Sequence, residues 1–558
     1  MATSTPPGGP PSDNPQSQKV IVTFDDVTDG PPEKDEDEFL TGVKLWFTML
    51  GVMANVFLLS LDRTIIGTAI PLIVKGFQSV SHIGWYGSAY LLTGCAFQPM
   101  FGKIYAVFPT KTVYLLSLSI FFLGSLVCAA APNSVTLIIG RAVAGVGSAG
   151  MVAGSFLIVV KAVPLNAGRP LLQSVVGIMF AAGASVGPFL GGIFTDMSDW
   201  RWCFWTNLPI AGVVIVTFFM FIKPWKNPQA HRPVKDRLWD LDLLGNILIL
   251  GSFTMLFVAI QQTAIGVPWR SQEIIGLMTG FGVTGVLFVG WQFWKGDAAL
   301  IPPRIVGQRT VAASCLMSFL SYGALTNINY FWPIWFQVVR GETAMMSGVY
   351  MMPYFVVMGV FSVLAGYLAP KIGYVTPLAV TGNVIATIGL GLMTMLSFET
   401  TTAQWVGFQV LTGAGHGLMI QQGFTAIQTV LRPSDIPVGT TAVISSQSLG
   451  GAIFLTVGNS VFQSKLMQSS AQERFPGVMN KILETGTSSL RKHVGEEQIE
   501  DVLVEFNGAI SEVMWVVWPL GILAVIAACF IAFKLLRPSN PEDEEQRHRW
   551  RCPWRRRS

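Results

Sequence analysis

Apolar runs of about twenty residues recur along this chain, and no other feature limits its fold as much. They lie near 44–74, 83–102, 112–131, 135–160, 171–195, 203–222, 241–262, 274–294, 311–338, 347–369, 374–396, 404–430, 437–463 and 512–534. A run of that length spans the hydrocarbon core of a bilayer as a helix, about 30 Å at 1.5 Å per residue. Lipid offers the backbone no hydrogen-bond partners, so a helix that satisfies its own is the structure such a run can take there. With 51% hydrophobic and 12% charged residues and a mean hydropathy of +0.52, an ordinary soluble globule is excluded. The expectation is an all-α, multi-pass membrane protein with fourteen spans.

The flanks differ in composition. Residues 1–42 are rich in Pro, Ser, Gly and acids, among them Glu33, Asp35, Glu36, Asp37 and Glu38, and hold no apolar run. They read as a disordered tail and not as a signal peptide, which needs a short apolar core after a basic start. Short loops after even-numbered spans carry fourteen Lys and Arg, against four in the short loops after odd-numbered ones. The positive-inside rule then puts the even loops and both termini in the cytoplasm. The expected divisions are 43–222, a first six-helix half; 223–308, a basic linker with two inserted helices; and 309–463, five helices of a second half. An exoplasmic loop, 464–511, precedes the last span, 512–534, and a basic cytoplasmic tail, 535–558. Within the loop, Ile499, Val502, Leu503, Phe506 and Ile510 keep a helical period and predict an amphipathic helix. The loop has no Asn-x-Ser/Thr sequon, so no N-glycan is expected there. The tail, Arg547 to Ser558, is suited to anionic lipid.

An internal repeat supports the two halves. Gly102-Lys-Ile-Tyr-Ala resembles Gly366-Tyr-Leu-Ala-Pro, and Arg141-Ala-Val-Ala-Gly-Val-Gly resembles Gln409-Val-Leu-Thr-Gly-Ala-Gly, at offsets of 264 and 268. Two parallel six-helix halves around an inserted pair is an arrangement expected of a transporter alternating around a midplane site.

Few polar groups lie inside the spans, and these are the candidates for chemistry. Asp62, in Leu61-Asp-Arg-Thr-Ile-Ile-Gly-Thr-Ala-Ile-Pro71, is well inside the first span. A carboxylate there must face the bundle interior and either pair or protonate. Arg141 in the fourth span is at comparable depth and is its natural partner. A proton-coupling pair and a static buried ion pair are the two readings. Arg63 is one residue on and on a different face, within reach of the membrane interface. Asn55 shares the face of Asp62. Free histidine changes charge near neutral pH, so His416, at the middle of the twelfth span, is a proton-site or substrate-site candidate. Asn329, Gln421 and Gln447 lie nearer the middles of their spans than other amides do. With Asn55 and His416 they are candidates for lining a substrate cavity, the alternative being hydrogen bonds that only link helices. In the fifth span, Gly183, Gly187 and Gly191 recur every four residues, with Pro188 and Gly192 beside them. Such a face admits a close neighbour, and a proline bends a helix, so the stretch reads as a packing seam or a pivot.

The six cysteines are scattered without metal-ligand or disulfide spacing, and no nucleotide-binding loop, zinc site or hydrolase elbow stands in a credible context. No enzyme, metal, cofactor or nucleic-acid partner is expected.

Taken together, Leu61 to Pro71, Arg141 to Gly150, Gly183 to Gly192 and Trp200-Arg-Trp-Cys-Phe-Trp-Thr-Asn-Leu-Pro209 resemble the fourteen-spanner drug:proton antiporters of the major facilitator superfamily, and in particular the fungal toxin and drug efflux pumps. Trp85-Tyr-Gly-Ser-Ala-Tyr90-Leu-Leu-Thr fits the same group. The resemblance implies a major facilitator fold with fourteen transmembrane helices, two six-helix halves plus two inserted. It also implies a proton-coupling role for Asp62 and Arg141, and an export-associated antiporter motif in Gly183, Gly187, Pro188, Gly191 and Gly192. One departure falls after the second span, where the family often has Gly-x-Leu-x-Asp-x-x-Gly-Arg-Lys and this chain has Ala106 for the acid and Pro109 for the glycine. The family's charge lock at that loop loses its acid here. The expected function is proton-coupled efflux of amphipathic small organic molecules, a secondary metabolite, toxin or drug. The proton gradient is the energy source, and the working form is a monomer in the plasma membrane, or else in a vacuolar or vesicle membrane. The alternatives are a same-fold importer of a siderophore or amino acid, and a non-transporting membrane receptor.

Overall fold

The computed structural model describes residues 39–532, apart from 468–495, most of 223–240 and a few short stretches elsewhere. Most of the acidic tail, the first part of the basic linker, much of the exoplasmic loop and the basic C-terminal tail therefore lie outside the described residues. The first half comprises α1 (Gly42–Phe77), α2 (Ile83–Val107), α3 (Thr110–Ala129), α4 (Ser134–Ala162), α5 (Arg169–Asp196), the single turn α6 (Trp202–Trp205) and α7 (Asn207–Phe221). An inserted pair follows, α8 (Leu243–Ala264) and α9 (Gln272–Lys295), and then the short α10 (Pro303–Val306). The second half comprises α11 (Arg309–Val338), α12 (Ala344–Tyr350), α13 (Met352–Ile372), α14 (Thr376–Met393), α15 (Thr402–Met419), α16 (Gln422–Val430), α17 (Ile436–Met467) and α18 (Glu496–Cys529).

Among the described residues, twelve helical stretches are long and apolar enough to cross a membrane. Two of the fourteen expected runs fall outside that set. One is α2, whose sequence holds Thr93, Gln98 and Lys103. The other is divided, because α15 stops at Met419 and α16 begins at Gln422. The count of fourteen is therefore not reached on length and apolarity alone. Two boundaries also move. The fold begins before residue 43, with Leu40 buried and its amide bonded to the Ala162 carbonyl at 3.0 Å. The stretch expected as a separate amphipathic helix is continuous with the last span in α18, and Leu503, Phe506 and Ile510 pack into the second half's core. An apolar face at helical period continues the span's own face, so nothing in the sequence marks a break between them.

The surface is inverted relative to a soluble protein. Leu116, Leu123, Val213, Val216, Phe219, Val286, Phe293, Val356 and Val360 point outward, while Asn55, Asp62, Arg141, Asn207 and His416 are buried. That is the arrangement a lipid solvent selects, because charge is costly only where it meets hydrocarbon. Of α9, only Ile274 and Gln292 are buried. The helix is held from its end by Asp242, whose carboxylate accepts hydrogen bonds from Trp291 Nε1 at 2.8 Å, Lys295 Nζ at 3.0 Å and the Leu300 amide at 2.7 Å. It also accepts the Gly245 amide at the start of α8, at 3.2 Å.

The repeat reappears as geometry. Arg141 Nε on α4 donates to the Tyr86 carbonyl at 3.1 Å, and Gln409 Nε2 on α15 donates to the Tyr350 carbonyl at 2.9 Å. Tyr350 follows Tyr86 at the same 264-residue offset as the two glycine pentapeptides. Each of those glycines also lies where the halves cross. A Cβ on Gly102 of α2 would collide with Thr441 of α17, and one on Gly366 of α13 would lie 2.7 Å from the Pro170 carbonyl at the start of α5. Both crossings belong to the end of the bundle that carries Lys103, Lys161, Arg169 and Lys371, called here the basic face.

Candidate functional site

Asp62 and Arg141 meet inside the first half. Arg141 Nη1 donates to Asp62 Oδ2 at 2.7 Å, and both side chains are 1% exposed. The second carboxylate oxygen, Oδ1, accepts from Asn207 Nδ2, also at 2.7 Å. Three helices thus converge on one carboxylate: α1 supplies it, α4 the cation, and α7 an amide from its first residue. The guanidinium is further held over the Tyr90 ring at 4.4 Å and near the Phe204 ring at 5.8 Å. An ion pair removed from water in this way persists only with good geometry and added hydrogen bonds, and here both are present. Asn207 was not legible as a partner. Its signal was an amide at the start of an apolar run, inside the tryptophan-rich motif 200–209.

The glycine motif of α5 lies against the same turn of α1. A Cβ on Gly183 would stand 2.6 Å from the Phe57 carbonyl and 2.7 Å from Ser60 Cβ, and one on Gly187 would overlap Thr64. Asp62 therefore sits on the segment of α1 that these two glycines clasp. Ser60 Oγ donates to the Phe180 carbonyl at 2.5 Å and Thr64 Oγ1 to the Gly183 carbonyl at 3.4 Å, across the same seam. Gly191 is buried, and α5 remains helical through positions 188 and 192.

The cavity candidates are dispersed. Asn55 donates to Ser155 Oγ on α4 at 3.0 Å, and Tyr114 Oη of α3 lies 3.1 Å from the same hydroxyl. That is a link within the first half. His416 is 1% exposed, with Nδ1 2.9 Å from Tyr354 Oη, a link between α15 and α13. Gln421, at the break between α15 and α16, reaches across to α5, where a Cβ on Gly177 would lie 2.5 Å from its Nε2. Its Oε1 has no partner. Asn329 is half-buried with Oδ1 unpartnered, and Gln447 on α17 is buried. Gln421 thus touches the opposite half.

The halves are sealed at the basic face. Val152, Phe156 and Val159 of α4 share one apolar core with Phe424 and Ile427 of α16 and Ile444 of α17, and the Phe156 and Phe424 rings stack at 4.3 Å. Thr425 Oγ1 lies 3.4 Å from Gln173 Oε1 across the same line. Near the end of α2, Lys103 donates to the Asp297 carbonyl at 3.2 Å, and Arg304 bridges Asp297 and Asp435 at 3.0 Å each. The segment after the inserted pair thereby ties α2 to the entry of α17. At the other end the first half has a core around Ile65, Tyr86, Leu137 and Phe204, and the second half one around Trp332, Trp335, Val513 and Phe506 that also takes in Ala181 of α5.

Comparison with known proteins agrees with this architecture. Residues 52–455 match the model of the Major Facilitator Superfamily. The MFS-type transporter astH of Aspergillus oryzae is 39% identical over 93% of this chain and 92% of its own length. Efflux pump roqT of Penicillium rubens is 38% identical over 88% and 92%, and efflux pump aflT of Aspergillus parasiticus 36% over 89% and 97%. Among solved structures, the proton:xylose symporter XylE superposes with a TM-score of 0.57 at 13% identity, covering 88% of this chain and 97% of that one. This likeness concerns the fold alone. The chain belongs to the Major Facilitator Superfamily, with fungal efflux pumps and transporters among its relatives.

Proposed function

We propose that this transporter exports amphipathic small organic molecules, a secondary metabolite, toxin or drug, in exchange for protons. The observation that carries the reading is the water-excluded Asp62–Arg141–Asn207 cluster, set on the turn of α1 that Gly183 and Gly187 of α5 enclose. With Asp62 ionised, the pair is neutral and α1, α4 and α7 are tied together. Protonation of Asp62 removes the partner charge and leaves Arg141 with the Tyr86 carbonyl and two aromatic faces. An uncompensated buried charge is costly by several kcal/mol, so the proton biases which packing of α1 against α5 is preferred. Relatives named as efflux pumps support the outward direction.

On this reading the basic face is cytoplasmic, with both termini on that side by the positive-inside rule. The sealed state described above is then closed to the cytoplasm. The plasma membrane is the proposed location, the proton gradient the energy source, and a monomer the working unit. Overexpression in the host is expected to lower the cell-to-medium ratio of at least one amphipathic metabolite, and a protonophore to abolish that change. Metabolite profiling of cells and medium reads both. A rise of that ratio on overexpression contradicts export, and an effect insensitive to the protonophore contradicts proton coupling.

A further inference from the structure

We infer that Arg63 is a substrate-binding residue that takes the anionic group of an amphipathic organic anion, a carboxylate or an ionised phenol on an aromatic body. The inference rests on the export reading and narrows its substrate class. Arginine inside a membrane span pairs with a carboxylate or a backbone carbonyl as a rule, because the bare charge is expensive there. Arg141 obeys that rule. Arg63 makes no ion pair among the described residues, and its Nε is buried without a hydrogen-bond partner. Its neighbours are aromatic faces, with the guanidinium 5.8 Å from the ring of Tyr90 on α2 and 5.8 Å from that of Phe180 on α5. Those distances are at the outer limit of a cation–π contact and leave the guanidinium's fork of donors free.

The placement identifies what the fork faces. Phe180 lies one turn from Gly177 on the same face of α5, and it is at Gly177 that Gln421 of the second half reaches α5. Arg63 therefore lies on the side of the first half that faces the second, the location of substrate sites in alternating-access carriers. It is half-buried, whereas Asp62 beside it is fully enclosed. The charges of Asp62 and Arg141 cancel within their pair, so Arg63 is the surplus positive charge of this cluster. A guanidinium presents paired donors to a carboxylate, and Tyr90 and Phe180 offer ring faces to the remainder of an aromatic ligand. Acid and aromatic surface on one small molecule match that set.

The test uses the full chain in lipid nanodiscs, with anthraquinone-2-carboxylate and its methyl ester as probes, followed by tryptophan fluorescence. The wild type is expected to bind the carboxylate at least tenfold more tightly than the ester. Arg63→Gln is expected to remove that preference while leaving ester binding within twofold, and Arg63→Lys to keep most of it. Equal or reversed affinities in the wild type overturn the assignment, as does a wild type that binds neither probe. A preference that survives Arg63→Gln, or a variant that weakens both probes alike, overturns it too. The export reading is read separately, from ester efflux out of proteoliposomes under an imposed pH gradient. Efflux of the ester with no carboxylate preference leaves export standing and removes the anion site. No movement of either probe, with the binding preference intact, does the reverse.

Discussion

At the scale of single residues, the cluster predicts a pattern of stability that a packing role alone would not give. Asp62→Ala leaves the Arg141 charge buried without its carboxylate, and losing one partner of a buried pair costs about 3–5 kcal/mol. Replacing both, as Asp62→Asn with Arg141→Gln, is expected to recover most of that loss, because neutral amides need far less compensation. Thermal unfolding of the purified variants checks the difference. Gln409, which holds the place of Arg141 in the second half through the Tyr350 carbonyl, provides a contrast. Gln409→Leu is expected to cost about 1–3 kcal/mol for the groups it leaves unpaired, with no change in the pH dependence of transport. Asp62 and Arg141 were legible because a charge inside an apolar run must be explained by a partner. Asn207 and the inward direction of Arg63 were not. Helical period fixes which face a side chain is on, but which neighbour covers that face is decided by packing between distant segments.

At the scale of elements, the seam between α1 and α5 and the tether of α9 make separate predictions. Gly187→Ala places a methyl on Thr64 and forces the helices apart, an overpacking expected to cost about 1–3 kcal/mol and to slow transport. Gly212→Ala on α7 meets nothing within 4 Å and is expected to be neutral or mildly stabilising, as alanine favours a helix over glycine. Thermal midpoints of the two variants, measured side by side, separate a tight seam from a general intolerance of alanine. Burial alone would raise the Asp242 carboxyl, but the hydrogen bonds from Trp291, Lys295 and the Leu300 and Gly245 amides outweigh it and hold the carboxyl below its ordinary range. A depressed folded value means the contribution is complete above the unfolded pKa and is lost as pH falls through the folded one. The stability of the α8–α9 pair is therefore expected to be flat from neutral pH down to the ordinary carboxylate range and to fall below it. Asp242→Asn removes that acid-side slope, as followed by tryptophan fluorescence during acid titration. The inserted pair was visible as two apolar runs outside the repeat, whereas its tether was visible only as an acid at the start of a helix.

At the scale of the whole molecule, the two-half architecture was readable because Gly102 and Gly366, which permit close approach, recur at an offset of 264, and both prove to be crossing points between the halves. The seal at the basic face was not readable. The loop after α2 lacks the family's acid, and the contact is supplied from a distant segment by Arg304 with Asp297 and Asp435. Arg304 and Asp297 are largely exposed, and screened surface pairs contribute about 0–1 kcal/mol each. Arg304→Ala is thus expected to shift the balance of access states toward opening of the basic face by no more than roughly fivefold per pair lost. Spin-label distances between the ends of α2 and α17 measure the shift. The central claim is that the Asp62–Arg141 pair couples the proton to the rocking of the halves. Its most direct test is Asp62→Asn in proteoliposomes, assayed for substrate exchange at equal pH and for uphill efflux under a pH gradient. Exchange that persists while uphill efflux is lost is the predicted result; uphill efflux at the wild-type rate would contradict it.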